Sequence, residues 1–168
     1  MRRWYIFLTA GALCAVLLAA PADALSAETA GAVGTYTGCQ RYTTSMSSPS
    51  PYAELDISRS DRELLAKLVY LEARGEPFDG QTAVAEVVLN RLLDGYWGDT
   101  VRDVIYFPSQ FAAPSQGTPY GEEQYKAVLA ALAGDGPLRG TGAIYFRARR
   151  YHSWAEPVMR IGGHYFSK

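Results

Sequence analysis

The sequence predicts an α+β domain, mainly helical, with a small antiparallel β-sheet near the C-terminus. Apolar residues recur at helical spacing through the middle of the chain, and the period then changes to short aromatic and β-branched runs around glycines. The composition sets the scale: 168 residues, 48% hydrophobic and 20% charged, suit one domain with a real core.

The first segment, "MRRWYIFLTAGALCAVLLAAPADALSAE", reads as a signal peptide over residues 1–24. Arg2 and Arg3 form a basic start, Trp4 to Ala20 is uncharged and apolar, and Ala22-Asp23-Ala24 is a small-x-small cleavage site. An uncleaved anchor is the rival reading, but the apolar run falls short of the ~20 residues a spanning helix needs. Lipid attachment at Cys14 is disfavoured because Leu13 precedes it. The expected location is therefore exported: periplasm, cell wall or extracellular.

Cleavage leaves Cys39 as a lone thiol, so the domain must be held by its core and not by an internal disulfide. No Cys/His cluster suggests a metal, and no cofactor is expected. The net charge of −1 is uninformative, but Arg139, Arg147, Arg149, Arg150, Arg160 and Lys168 oppose only Glu156 in the C-terminal part. Such a basic edge is either a solvated face or a contact surface for an anionic polymer.

Residues 25–57 are rich in Ser, Thr, Gly and Pro without an apolar period, as in "RYTTSMSSPSPYAEL", and read as a flexible linker. The catalytic domain is expected over residues 58–168. Its first helix is "SRSDRELLAKLVYLEARG", with Ser60 as cap, Glu63 completing a capping box and Gly75 as the left-handed stop. A second helix runs from about Gly80 to Leu93 with Asp79 as cap, Val84, Val87, Val88 and Leu92 as its buried stripe, and Glu86 and Asn90 on a flank. Asp99 caps a short turn in "DTVRDVIYF", and Thr118 caps a helix ended by Gly134, with Tyr125, Val128, Leu129 and Leu132 facing inward. "TGAIYFRAR" and "MRIGGHYFSK" then supply two or three strands.

One residue departs from the pattern. The apolar stripe of the first helix runs through Leu64, Leu65, Leu68 and Val69, and its next step is Glu72. Desolvation and the negative end of the helix dipole both disfavour an ionised carboxylate there. A carboxylic acid kept protonated near neutral pH is what a general acid needs. The alternative is a helix-end Glu hydrogen-bonded to nearby backbone.

Four stretches in order, "LVYLEARGEPFDGQTAVAEVVLNRL", "VIYFPSQFA", "GAIYF" and "RIGGHYF", resemble the SleB-like cell-wall hydrolases, the family of spore cortex-lytic enzymes and related bacterial and phage proteins. The similarity covers about Asp61 to Phe166. It implies a lysozyme-like fold and lytic transglycosylase action on the glycan strands of peptidoglycan, with Glu72, the first acid of E-A-R-G-E, as the catalytic acid and base. It also points to Gln110, Phe111 and Tyr145 as groove residues, and places Glu76 and Asn90 as further candidates for substrate contact, each with a structural role as the alternative. Ala112, where members often carry a hydroxyl, the short loop "APSQGTPYG" and Arg147, where many carry His, depart from the pattern and bear on the groove walls. Trp154 with Tyr151 is either a sugar platform or core.

Two other function classes stay open: a hydrolytic muramidase, which needs a second carboxylate from Glu76, Asp79 or Glu86, and a non-catalytic peptidoglycan-binding module. The expected partner is the peptidoglycan glycan strand, with a protein regulator as a second candidate, no nucleic acid, and the membrane only through an uncleaved leader.

Overall fold

The computed structural model describes residues 48–168. The expected leader and cleavage site, and Cys39, lie outside the described residues. Four helices precede three strands: α1 (Arg59–Ala73), α2 (Phe78–Asp94), α3 (Val101–Ile105), α4 (Glu122–Ala133), β1 (Tyr145–Ala148), β2 (Pro157–Ile161) and β3 (His164–Ser167). The strands form one antiparallel sheet in the order β1-β3-β2, pairing Phe146 with Phe166 and Arg160 with Tyr165. The α+β expectation, mainly helical with a small C-terminal sheet, holds. Among the described residues no helix is long and apolar enough to cross a membrane.

α2 is the axis of the domain. It packs against α1, α3, α4 and β1, and every residue from Gly80 to Arg91 is buried. Small residues along its buried stretch, Gly80, Thr82, Ala83, Val84, Ala85, Val87 and Val88, allow close approach on all sides. That corrects the placement of Glu86 and Asn90 on a flank of the buried stripe: a helix covered all round has no flank, and both side chains are buried.

The helix starts differ from expectation in a consistent way. α1 is capped by Ser58, whose side chain accepts from Asp61 N–H, not by Ser60 with Glu63. Its C-cap is Arg74 in a right-handed conformation, so Gly75 is not a left-handed stop. α2 begins after Pro77 with no side-chain cap, leaving Asp79 in the first turn. Thr100, reciprocated by Asp103, caps α3 in place of Asp99. α4 starts at Gly121, while Thr118 Oγ1 accepts from Ser115 N–H in the preceding turn. Adjacent polar residues offered several equivalent caps, and the local backbone chose among them. Of the four residues expected inward on α4, Val128 is buried and Tyr125 and Leu132 pack partly buried against the core, but Leu129 is exposed; Gln124, Ala127 and Ala131 complete the inward face. The left-handed stop at Gly134 is as expected.

The segment 48–57, expected to be linker, is packed on the helices. Tyr52 is 2% exposed, and its hydroxyl donates to Asn90 Oδ1 at 2.9 Å. Ser50 Oγ donates to Leu132 O at 2.6 Å, and Arg139 Nη2 donates to Ser48 O at 2.6 Å. One aromatic anchor and a few polar ties suffice, and neither leaves a periodic trace in a Ser/Pro-rich stretch.

Glu86 is fully buried, with Oε2 accepting from Leu138 N–H at 2.8 Å and Oε1 without a partner. A Cβ at Gly136 would overlap its carboxyl group, so that turn needs glycine. Burial pushes the Glu86 carboxyl up from 4.5 to about 7, against the opposing pull of the Leu138 hydrogen bond. The raised pKa means that the folded state holds a proton the unfolded chain has already released. The stability that proton contributes is complete below about 4.5 and lost as pH rises toward about 7. Between pH 5 and pH 8 the parent should therefore lose roughly 2–3 kcal/mol relative to Glu86→Gln, read from denaturant unfolding at each pH. A pH-independent difference between the two proteins would rule out this titration.

Candidate active site

Glu72 closes the last turn of α1, beside buried Ala73 and in line with Leu65, Leu68 and Val69. It is half-buried, not sunk in the core as the stripe implied, because the helix ends at the surface there. Its Oε1 accepts from Ala112 N–H at 2.6 Å. The helix-end acid with a backbone partner and the acid poised for chemistry are thus compatible: one oxygen is anchored and the other is left for a ligand.

Ala112 follows directly on the segment that builds one wall of a groove of about 510 Å³. Gln110 and Phe111 stand on that wall, where the chain turns after α3 through Ser109 at φ 62°. β1 supplies the opposite wall with Tyr145 and Phe146, and the loop after it adds His152 and Trp154. The Phe111 and Phe146 rings lie 6.1 Å apart, and Tyr145 meets Trp154 edge-on at 4.8 Å. Trp154 is 67% exposed, which makes it groove lining and not core. Tyr151, paired with it in the sequence reading, packs instead against Tyr165 at 5.0 Å. A larger hollow of about 680 Å³ lies along the first half of α1 and contains none of the expected site residues.

The structure thus places Gln110, Phe111 and Tyr145 together at the groove; Glu72 is not part of its lining and is tied to Ala112, the residue after Phe111. Phe111 also packs against the core, so both readings of it apply. Glu76 and Asn90, for which substrate contact and a structural role were both open, make structural hydrogen bonds. Glu76 Oε2 accepts from Gly163 N–H at 2.8 Å, tying the α1–α2 turn to the β2–β3 hairpin. Side chains at Gly162 (φ 55°) or Gly163 would collide with that carboxylate, which accounts for the paired glycines of "RIGGHYF". Asn90 accepts from Tyr52 and donates to Ala143 O at 2.9 Å, so its amide is spent on joining the N-terminal arm to the chain before β1.

Several groove residues had no counterpart in the sequence reading: Tyr96, Trp97, Ser109, Phe146, His152 and, most buried among the charged ones, Arg91. Arg91 of α2 is 3% exposed and lines the groove, with Nε donating to Ile144 O at 2.7 Å. Its guanidinium lies 4.0 Å from the centre of the Trp97 ring and 4.7 Å from that of Phe111. Burial lowers its pKa to about 10, Tyr145 acting in the opposite sense. The arginine was visible as the end of "VVLNR", but Trp97, Phe111 and Tyr145 come from separate elements, so no local pattern announces the cage.

Comparison with known proteins adds the family. The cell wall hydrolase family model matches residues 75–167, a span that begins just after Glu72. A spore cortex-lytic enzyme of Oceanobacillus iheyensis is 41% identical over 127 residues, covering 71% of this chain and 46% of that protein. Another from Halalkalibacterium halodurans is 42% identical over 125 residues, covering 70% of this chain and 36% of that protein. The chain therefore spans less than half the length of these relatives. Among solved structures, the catalytic domain of the Bacillus cereus SleB protein matches with a TM-score of 0.61 at 35% identity, covering 70% of this chain and 97% of that domain. The catalytic domain of the germination-specific lytic transglycosylase SleB from Bacillus anthracis matches with a TM-score of 0.60 at 36% identity, covering 68% of this chain and 98% of that one. With its lysozyme-like fold, the chain belongs to the cell wall hydrolase family.

Proposed function

We propose that this domain is an exported peptidoglycan-cleaving enzyme, a lytic transglycosylase that cuts the β-1,4 bond between N-acetylmuramic acid and N-acetylglucosamine. The observation that carries the reading is the carboxyl group of Glu72, anchored by the N–H of Ala112, the residue next to Phe111 of an aromatic-lined groove. A relative solved under the description of lytic transglycosylase supports it.

In this mechanism Glu72 donates its proton to the glycosidic oxygen as the bond to the muramoyl C1 breaks. The resulting carboxylate then takes the proton of the C6 hydroxyl while O6 bonds to C1, closing a 1,6-anhydro ring. No water is consumed, and Glu72 is regenerated in its acid form. The nucleophile belongs to the same sugar, so proximity replaces a second carboxylate. The groove fits this economy: none of the residues lining it is acidic, Glu76 is held by the hairpin, Asp79 is exposed in the first turn of α2, and Glu86 lies in the core. Ala112 N–H fixes one oxygen of Glu72, so the other is oriented for both proton transfers. Tyr145 and Trp154 offer faces for sugar rings.

The test is mass spectrometry of the fragments released from purified peptidoglycan. Anhydro-muramoyl ends, lighter by one water than reducing ends, are the expected product. Fragments with reducing muramic acid alone would assign a hydrolytic muramidase, and binding without release of fragments would assign a wall-binding module.

A further inference from the structure

Arg91 is unusual among the buried side chains. It is a cation sealed by aromatic rings, its Nη1 is buried without a hydrogen-bond partner, and none of the ion pairs among the described residues includes it. Nε alone is satisfied within the protein, by Ile144 O. The rings of Trp97, Phe111 and Tyr145 offset part of the desolvation through their negative faces, but rings accept no full hydrogen bond. A buried charge without a counterion is costly, and the missing partner is an oxygen acceptor.

The location indicates where that acceptor comes from. Arg91 is on the lining of the groove that Gln110, Tyr145 and Trp154 also line, and no carboxylate of the protein shares that lining. His152 shares the lining, its pKa lowered by burial and by the charge of Arg147, which is a second cation close to the groove. The groove is therefore a positively biased slot between aromatic faces. Its ~510 Å³ suits a sugar ring with one substituent.

We propose that Arg91 is the floor of an anion subsite that receives a carboxylate of the wall polymer while the attached sugar lies against Tyr145 and Trp154. The proposal rests on the glycan-cleaving reading above and adds to it a requirement for negative charge on the ligand. Two groups of the polymer offer the chemistry: the lactyl carboxylate of a muramoyl residue without a stem peptide, and a carboxylate of the stem peptide itself. A carboxylate is preferred over a neutral acetamido oxygen because a charge-assisted hydrogen bond is roughly twice as strong as a neutral one and also supplies the missing counterion.

The experiment measures binding to the full chain carrying Glu72→Gln, so that the probes are not consumed, by the fluorescence of the groove tryptophans. The probes are a stem-free muramoyl-glucosaminyl tetrasaccharide with free lactyl carboxylates, its methyl ester, the same tetrasaccharide bearing stem peptides, and chitotetraose. The expected result is that a carboxylate-bearing probe binds at least ~10-fold more tightly than the ester and chitotetraose at low salt. Arg91→Gln should bring all four probes to the level of chitotetraose. Preference for the free lactyl acid names that group as the ligand, and preference confined to the stem-bearing probe names the stem. Equal binding of acid, ester and stem-bearing probes overturns the subsite and leaves the cleavage reading intact. Failure to bind any probe, together with no fragments in the digestion above, overturns both. Should Arg91→Gln fail to fold, the acid-to-ester ratio in the Arg91-bearing protein decides by itself.

Discussion

Replacing Glu72 by Gln is expected to reduce the release of peptidoglycan fragments by ~10³–10⁴-fold, the upper part of the range for a general acid–base group. In the proposed mechanism the same group serves both proton transfers, so its loss falls on bond cleavage and on ring closure together. Gln keeps the size of the side chain, and its carbonyl oxygen can still accept from Ala112 N–H. Folding should therefore be little changed, because Glu72 is only half-buried and makes no ion pair among the described residues. Glu76→Gln should cost clearly less activity, since that side chain braces the hairpin at Gly163. The assignment would be falsified by near-parental turnover in Glu72→Gln. Loss of the thermal transition in that variant would mark the carboxylate as structural.

The second large effect is on stability. Tyr52→Ala removes a fully enclosed aromatic ring and its hydroxyl, leaving a cavity beside α2 and an unfilled acceptor at Asn90 Oδ1. Large-to-small changes of this kind cost about 3–5 kcal/mol. Tyr52→Phe should cost only about 1–3 kcal/mol, the penalty of the stranded acceptor. Denaturant unfolding of the full chain measures both. A Tyr52→Ala protein as stable as its parent would return the arm to the status of a linker.

The sequence and the structure agree where a pattern is carried by many residues. The apolar stripes of α1 and α2 and the aromatic runs of the strands each sum several weak preferences, and all three yielded the right element. Disagreement gathers where one residue decides. Ser58 and Ser60 are chemically equivalent caps, and only the backbone before α1 separates them. Tyr52 is a single anchor in a polar stretch, and Glu86 has the spacing of a surface acid on a helix that happens to be enclosed. The site divides in the same manner. Glu72 was legible as a break in its own stripe, and Gln110, Phe111 and Tyr145 through the family resemblance. Arg91 was not, because its surroundings come from α2, the loop after it, the turn after α3 and β1, which only folding brings together.

The hydrogen bond from Ala112 to Glu72 has an evolutionary corollary. The donor is a main-chain group, so the proposed catalytic acid, Glu72, is held by the path of a loop and not by the identity of any side chain on it. Point substitutions at position 112 leave that hold in place, proline excepted, since it alone lacks the N–H. Insertions or deletions between α3 and Ala112 do not, because they move the amide. The wall of the groove is thereby free to change its chemistry, and with it the preferred glycan, while loop length stays under constraint. Variation among such domains should accordingly be rich in substitutions around position 112 and poor in length changes just before it.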